Sequence, residues 1–278
     1  MQGHSEVDAA LTGIERYAYR WGRLLNETPF GKRVSGTWGS IFSVPWLGAT
    51  IRPRYHIDGL EHLPQRSMIV VANHRTFFDL YAVMIAIWHH LPQSPWLYCP
   101  VRSNYFYDHP MGPFLNTLVS GNAMYPPIFR DERGPVLNRS AVDACVRLLD
   151  WQSRVVIAMH PEGTRSSNPD PYDLLPAKPG VGRIALRSRA PVLPIFVNGL
   201  PRTFGRLVKE RFTPGVEPVR VMIGAPVELE DLYDRAEEPA AAKEAAQRTL
   251  DAIRAQGERD RALMSTWRPG GSNPQDRG

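Results

Sequence analysis

The chain has 278 residues, of which 43% are hydrophobic and 22% charged, with a formal net charge of +5 and two cysteines. This composition excludes an intrinsically disordered chain, and the length suits one large α/β domain. The positive charge favours an anionic partner: nucleic acid, an acidic lipid surface or a phosphorylated substrate. Cys99 and Cys145 lie in no metal-ligand spacing, so we predict reduced thiols and no zinc site.

The first fifty residues predict a helical arm. Acidic residues interrupt the apolar run at the amino terminus, so we expect no signal peptide. Apolar residues recur at helical intervals from Val7 to about Leu25, with arginines between them, and aromatic residues follow. We therefore assign residues 1–53 to an amphipathic helical arm. This arm fits a membrane interface, and it fits equally well a helical segment packed on the core.

Beyond residue 53, short apolar runs alternate with helical patterns. The predicted elements are, in chain order, an edge strand and turn from Arg54 to Glu61, a strand at Ser67–Ala72, a helix at Phe78–His90, a strand at Trp96–Val101, helices at Pro113–Val119 and Val136–Trp151, a strand at Arg154–Met159, a helix at Val181–Ser188, strands at Val192–Val197 and Val219–Ile223, and an alanine-rich helix at Ala240–Ala255. This alternation predicts an α/β fold with a mostly parallel central sheet and helices on both faces. We assign residues 54–266 to this domain and predict a disordered tail over residues 267–278. Prolines or glycines interrupt the long uncharged stretches, so we expect no transmembrane segment.

His74 and Asp79 form the first candidate site. They lie where a buried strand ends and a helix begins, which is where ligands enter open α/β sheets. Five residues is an awkward separation on one helix, so we expect His74 in the loop and Asp79 in the first helical turn, reaching back to the imidazole. The pair would then act as a general base and its orienting carboxylate. On these residues alone a second interpretation is equally good: Thr76 and Asp79 form a capping-box-like pattern that only closes the helix.

Residues 161–166, with the sequence Pro-Glu-Gly-Thr-Arg-Ser, form the second candidate site. They follow another apolar strand and combine a tight turn with free backbone donors, two hydroxyls and a guanidinium. This set is suited to binding phosphate or carboxylate. The alternative is an ordinary surface turn with an exposed arginine.

Taken together and in this order, the motifs resemble the glycerolipid acyltransferase family, whose best-known members acylate 1-acyl-glycerol-3-phosphate. The family's first block matches His74 and Asp79, its third matches Pro161–Arg165, and its fourth is similar to Ala190–Ile195. The second block departs from the family pattern, because two prolines lie between Gly121 and Arg130. His160 also stands where the family often has phenylalanine.

The resemblance implies a role for each matched residue. His74 would deprotonate the attacking hydroxyl, and Asp79 would orient His74. Arg130, with Arg133 as the alternative, and Arg165 would hold the acceptor's phosphate. The remaining substrate-binding residues, which would shape that site through hydrogen bonds, are Glu162, Gly163 and Thr164. Lys178 is a weaker candidate for an anion contact, and a solvated loop lysine is the better interpretation.

The predicted function is transfer of a fatty acyl group from acyl-coenzyme A, or from acyl carrier protein, to a lysophospholipid hydroxyl. The product would be phosphatidic acid, and the protein would take part in phospholipid biosynthesis as a peripheral protein at the cytoplasmic, inner face of a membrane. The chemistry requires no cofactor and no metal, and the other histidines, His160 among them, show no trusted ligand spacing. Two alternatives remain: a non-phosphate acceptor such as a lyso-ornithine lipid or glycolipid, and a non-catalytic lipid-binding protein. No nucleic-acid-binding module is visible.

Overall fold

The computed structural model describes residues 7–51, 54–91, 95–151, 154–213 and 215–266. A six-stranded sheet has the order β1-β8-β7-β2-β6-β3, in which every neighbouring pair is parallel except β7 and β8. All residues of β2 and β8 are buried, so both faces of the sheet are covered. The predicted α/β fold with a mostly parallel sheet is therefore confirmed.

The elements follow the predicted order. The strands are β1 Tyr55–Asp58, β2 Met68–Ala72, β3 Trp96–Tyr98, β4 Val101–Arg102, β5 Pro127–Ile128, β6 Val155–Met159, β7 Val192–Asn198 and β8 Val219–Ile223. The α-helices are α1 Gly13–Asn26, α2 Pro29–Trp38, α3 Val44–Thr50, α4 Asp79–Trp88, α5 Ser103–Phe106, α6 Gly112–Ser120, α7 Gly134–Leu149, α8 Gly180–Ser188, α9 Phe204–Arg211 and α10 Pro239–Thr266. A π-helical turn, Gly39–Ser43, joins α2 to α3.

Three predicted elements need correction. The first helix is interrupted, because the Thr12 side chain accepts a hydrogen bond from the Glu15 N–H and starts α1 with a capping box. The predicted strand at 96–101 is split: β3 stays in the main sheet, whereas Val101 joins β4, because Pro100 has no N–H to continue the ladder. Helix α10 continues to Thr266, eleven residues beyond the predicted end at Ala255. The predicted tail lies outside the described residues.

The arm packs on the domain through buried polar contacts. The Asn26 amide donates to the Asn122 carbonyl at 3.0 Å, and Lys32 Nζ donates to the Leu97 carbonyl at 2.7 Å. Gly121 ends α6 with φ = +57°, and a Cβ there would lie 2.6 Å from the Cα of Gly39. These contacts hold the arm against β3 and α6. In the part of the chain that is described, no helix combines the length and the apolar character needed to cross a membrane.

Candidate active site

The site forms where β2 and β6 end side by side. The two strands are parallel neighbours with Val71 opposite Met159, so the loops that follow them leave the same edge of the sheet. Asn73, directly after β2, holds this end in place: its side-chain oxygen accepts from the Val197 N–H at 2.7 Å, and its amide donates to the Val197 carbonyl at 3.0 Å. The next residue is His74. A rigid strand end therefore carries the candidate base.

His74 and Asp79 have the predicted geometry. His74 lies in the loop, Asp79 is the first residue of α4, and His74 Nδ1 is 3.3 Å from Asp79 Oδ2. The Asp79 side chain is 3% exposed and that of His74 is 19% exposed. With its proton on Nδ1, the imidazole donates to the carboxylate and leaves Nε2 free to accept a proton. The arrangement is that of an oriented general base.

A buried carboxylate ties the second candidate stretch to the first. Glu162 Oε1 accepts from the His74 N–H at 2.7 Å and Oε2 accepts from the Leu175 N–H at 2.8 Å, and the residue is 1% exposed. Burial raises the pKa of Glu162, whereas the two backbone donors stabilise its charged form. The Ser166 N–H also donates to the His74 carbonyl at 2.7 Å. Both backbone groups of His74 are thus held by residues 162 and 166.

Cationic side chains surround the turn at Gly163. The turn requires glycine because its φ is +67°, and a Cβ there would lie 3.3 Å from Lys178 and 3.4 Å from Arg130. Arg130 donates to the Gly163 carbonyl. Burial lowers the pKa of Arg130, and the nearby Arg102 lowers it further. Arg102 lies on strand β4, which pairs with β5. Arg102, Arg130 and Lys178 are all exposed. This cluster is suited to holding a phosphate group.

The two alternatives for the phosphate-binding arginine differ sharply. Arg133 points away from the turn, because its guanidinium donates to both carboxylate oxygens of Glu15, at 2.7 and 2.9 Å, and also to Asp131. Arg130 lies against Gly163. The structure therefore brings Arg130 to the predicted site and uses Arg133 to hold the arm.

Of the other predicted residues, Arg165 is exposed, and its guanidinium makes no hydrogen bond or ion pair with the described residues. It is therefore available to a ligand. Thr164 is half-buried beside it. The neighbouring loop is held by Arg75, which donates to the carbonyls of Asn168 and Asp170, each at 2.8 Å. Arg75 was not among the predicted site residues, and its role is structural in this arrangement.

His160 is the residue of the site that the sequence analysis missed. Its ring stacks on that of His74 with centroids 3.7 Å apart and an interplanar angle of 8°, and its Nδ1 lies 2.9 Å from the Ala72 carbonyl. Burial, together with the nearby His74, lowers the pKa of His160 to about 3, so the ring is neutral at physiological pH. The sequence feature that could have indicated His160 is its position directly after an apolar strand, as for His74. Whether two such histidines meet depends on which strands are neighbours in the sheet.

His74, Asp79 and His160 present possible metal-ligand atoms within 4.8 Å of one another. Imidazole lone pairs lie in the ring plane, and the two rings are nearly parallel, so these lone pairs run side by side instead of converging on one ion. Both Nδ1 atoms also face oxygen partners within the protein. The arrangement fits proton transfer better than metal binding.

Comparison with known proteins places this chain in a family. The 1-acyl-sn-glycerophosphate acyltransferase PlsC from Thermotoga maritima has a similar structure, with 20% sequence identity and a TM-score of 0.47, over 85% of this chain and 80% of that one. No curated protein sequence matches the chain significantly. The sequence model of the Acyltransferase family matches residues 54–198, which is more than half of the chain. The matched segment contains His74, Asp79, Arg130 and residues 162–165. The protein therefore belongs to the Acyltransferase family.

Proposed function

We propose that the protein transfers a fatty acyl group from a thioester, on coenzyme A or on acyl carrier protein, to the free hydroxyl of 1-acyl-glycerol-3-phosphate. The observation that carries this proposal is the position of the His74–Asp79 pair, whose loop is hydrogen-bonded directly to the cationic turn at Gly163. A base and a phosphate-binding cluster held in one unit suit an acceptor that has a hydroxyl and a phosphate on adjacent carbons.

In the proposed reaction, His74 Nε2 takes the proton of the acceptor hydroxyl while its oxygen attacks the thioester carbonyl carbon. Asp79 stabilises the imidazolium that forms. The carbon–sulfur bond then breaks, and the imidazolium proton neutralises the thiolate that leaves. Arg130, Arg165 and Lys178 hold the acceptor's phosphate. The cycle is balanced without a covalent acyl-enzyme, a redox cofactor or a metal ion.

The same proposal places the protein on a lipid surface as a peripheral protein, at the inner face of the membrane. Large apolar side chains are exposed along the arm, and exposed rings continue towards the site: Trp46 and Phe204 have ring centroids 6.0 Å apart. The Phe204 ring lies 6.0 Å from that of Phe78, which is buried near the start of α4. A water-insoluble acceptor held in a membrane would reach the site along such a surface.

The proposal is tested with the purified protein, palmitoyl-coenzyme A and a panel of acceptors, by measuring thiol release and product lipid. We expect phosphatidic acid from 1-acyl-glycerol-3-phosphate. His74→Ala should lower kcat by about 10²–10⁴-fold, the usual contribution of a general base. The control is His90→Ala, which changes an exposed histidine beyond the end of α4.

Three outcomes would contradict this function. Turnover retained in a folded His74→Ala protein would exclude His74 as the base. Activity confined to a lyso-ornithine lipid or a glycolipid would show that the acceptor is a non-phosphate lipid. Binding of lipid without turnover on any acceptor, with either acyl-coenzyme A or acyl carrier protein as donor, would indicate a non-catalytic lipid-binding protein.

A further inference from the structure

We propose that His160 is a positioning residue for His74: its ring forms a fixed platform that holds the His74 imidazole in the orientation needed for proton transfer. This inference rests on the proposed function, in which His74 is the base. It assigns a role to a histidine that the proposed chemistry does not itself use.

The platform is anchored to the sheet. His160 directly follows β6, and its Nδ1 lies 2.9 Å from the carbonyl of Ala72, the fully buried last residue of β2. A carbonyl oxygen can only accept a hydrogen bond, so Nδ1 of the neutral ring carries the proton. This hydrogen bond fixes the tautomer and the plane of the His160 ring. The ring therefore moves with two adjacent strands of the core.

His74 needs such a platform because its hydrogen bond to Asp79 leaves the ring free to tilt. The Nδ1–Oδ2 separation from Asp79 is 3.3 Å, near the long end of the hydrogen-bond range, and it restrains one edge of the imidazole only. The stacked ring, with centroids 3.7 Å apart, restrains the face and keeps water from it. A displacement of a reacting group by about 1 Å can lower the rate about 10²-fold.

The charges around the pair support this role. Asp79 and Glu162 are the carboxylates hydrogen-bonded to His74, and the Arg75 guanidinium is directed away from it, to the carbonyls of Asn168 and Asp170. His160 is neutral because burial lowers its pKa to about 3. A neutral aromatic face does not repel the imidazolium that forms on His74 during the reaction, and it attracts a cation weakly.

The test compares His160→Ala, which removes the ring, with His160→Phe, which keeps a stacking ring and loses the hydrogen bond to Ala72. Steady-state kinetics are measured with palmitoyl-coenzyme A and 1-oleoyl-glycerol-3-phosphate in detergent micelles. We expect His160→Ala to lower kcat by about 10–100-fold with each KM changed less than about threefold. His160→Phe should recover most of the lost kcat. His90→Ala serves as the control for loss of an exposed histidine.

The inference is overturned if His160→Ala keeps the wild-type kcat, if His160→Phe is no better than His160→Ala, or if the loss is confined to KM. The His74→Ala variant separates this failure from that of the proposed function. Turnover in His74→Ala refutes the base itself, whereas an inactive His74→Ala beside a fully active His160→Ala refutes only the platform.

A spectroscopic measurement on the wild-type protein covers the case in which His160→Ala fails to fold. A ring stacked at 3.7 Å shifts the Hε1 proton of the facing imidazole upfield. In a histidine-labelled protein, the His74 Hε1 signal should therefore lie upfield of the signals of the exposed His89 and His90. The His160 nitrogen shifts should report a neutral ring protonated at Nδ1. An unshifted His74 signal would refute the stack.

Discussion

The carboxylate of Asp79 accepts four hydrogen bonds, and they serve two purposes. Oδ2 accepts from the N–H groups of Arg75, at 2.6 Å, and Thr76, at 2.7 Å, and Oδ1 accepts from the Thr76 hydroxyl at 2.7 Å. These bonds shape the turn before α4, but they are not the predicted helix cap, because the N-cap residue is Phe78 and it makes no side-chain cap hydrogen bond. Oδ2 also faces His74 Nδ1. One buried carboxylate therefore shapes the turn and orients the imidazole, because it has enough lone pairs for both.

Arg130 and Arg133, the two alternatives for the phosphate-binding arginine, give a prediction about single residues. Arg130→Met should raise KM for 1-acyl-glycerol-3-phosphate by about 10-fold or more, because it removes a charge-assisted contact to the phosphate. It should leave the KM of a non-phosphate lyso-lipid unchanged. Initial rates across both acceptors provide the measurement.

The matched control is Arg133→Met. In the wild type, the Arg133 guanidinium pairs with the buried Glu15 carboxylate and keeps the pKa of Glu15 low. The variant leaves this carboxylate without its main cation, so the free energy of unfolding should fall by about 1–3 kcal/mol. Its KM for the phosphate acceptor should be that of the wild type in a protein that is folded at the assay temperature. Equal KM effects in the two variants would refute the assignment of Arg130.

At the scale of elements, the docking of α2 on β3 depends on a buried lysine. Lys32 is 3% exposed, and its Nζ donates to Asn26 Oδ1 at 3.0 Å and lies 3.8 Å from the centroid of the Tyr98 ring. Burial lowers the pKa of Lys32 to about 7. In the unfolded chain the pKa returns to about 10.4.

This shift predicts a pH dependence of stability. Between pH 7 and about pH 10 the unfolded chain binds more protons than the folded chain, so the free energy of unfolding rises with pH. The contribution of Lys32 is at most about 1.4 kcal/mol per pH unit. Lys32→Met removes the titrating group, so urea denaturation at several pH values should show a flatter profile for this variant.

The control for this prediction is Lys243→Met, which changes an exposed lysine on α10. It should keep the wild-type slope. If Lys32→Met also keeps that slope, the pKa of Lys32 is not lowered in the folded chain.

At the scale of the whole molecule, the arm and α6, which are in contact, both carry exposed apolar residues that we treat as one candidate surface. Trp38 Nε1 donates to the Thr117 carbonyl at 3.1 Å, and Ser43 Oγ donates to the Leu118 carbonyl at 3.0 Å, which joins the π-helical turn to α6. Large exposed apolar residues grouped on neighbouring segments are typical of a binding site for another molecule or a membrane. Its exposed members are Tyr17, Trp21, Leu24, Phe30, Val34, Trp38, Ile41, Phe42, Phe114, Leu115 and Leu118.

We predict that this surface binds lipid. Phe30, Ile41 and Phe114 are 78%, 58% and 57% exposed, so their replacement by serine should leave the fold intact. The triple variant should float with anionic vesicles at least about 10-fold less than the wild type, because three apolar side chains no longer enter the interface. Flotation with vesicles of phosphatidylglycerol and phosphatidylcholine measures this.

Val136→Ser is the control, since Val136 is 51% exposed on α7, outside the arm and α6. It should bind vesicles as the wild type does. Undiminished flotation of the triple variant would show that the arm is a structural part of the domain and not a membrane contact. Point substitutions are preferable to deletion of residues 1–53, because buried contacts of Asn26 and Lys32 would be lost with the arm.

Elements with a strong local pattern were predicted well. The runs at Val219–Ile223 and Val192–Val197 form strands within one residue of the predicted bounds, because apolar β-branched residues in such a run favour a buried strand in any context. The end of β3 was predicted wrongly, because a distant contact decides it. After Tyr98 the Cys99 N–H donates to the carbonyl of Ala123, which is remote in sequence, and Pro100 has no N–H to continue the ladder of the main sheet.

The sequence by itself determined the α/β class, the order of the elements, and the loop position of His74 beside Asp79, because these depend on local periodicity and on residues close together in the chain. Only the tertiary structure decided that Arg130 faces Gly163 while Arg133 is bound to Glu15. It alone placed His160 on the face of His74. The reason is strand order: β2 and β6 are adjacent in the sheet although 82 residues lie between Ala72 and Val155 in the chain, and local pattern carries no information about such neighbours.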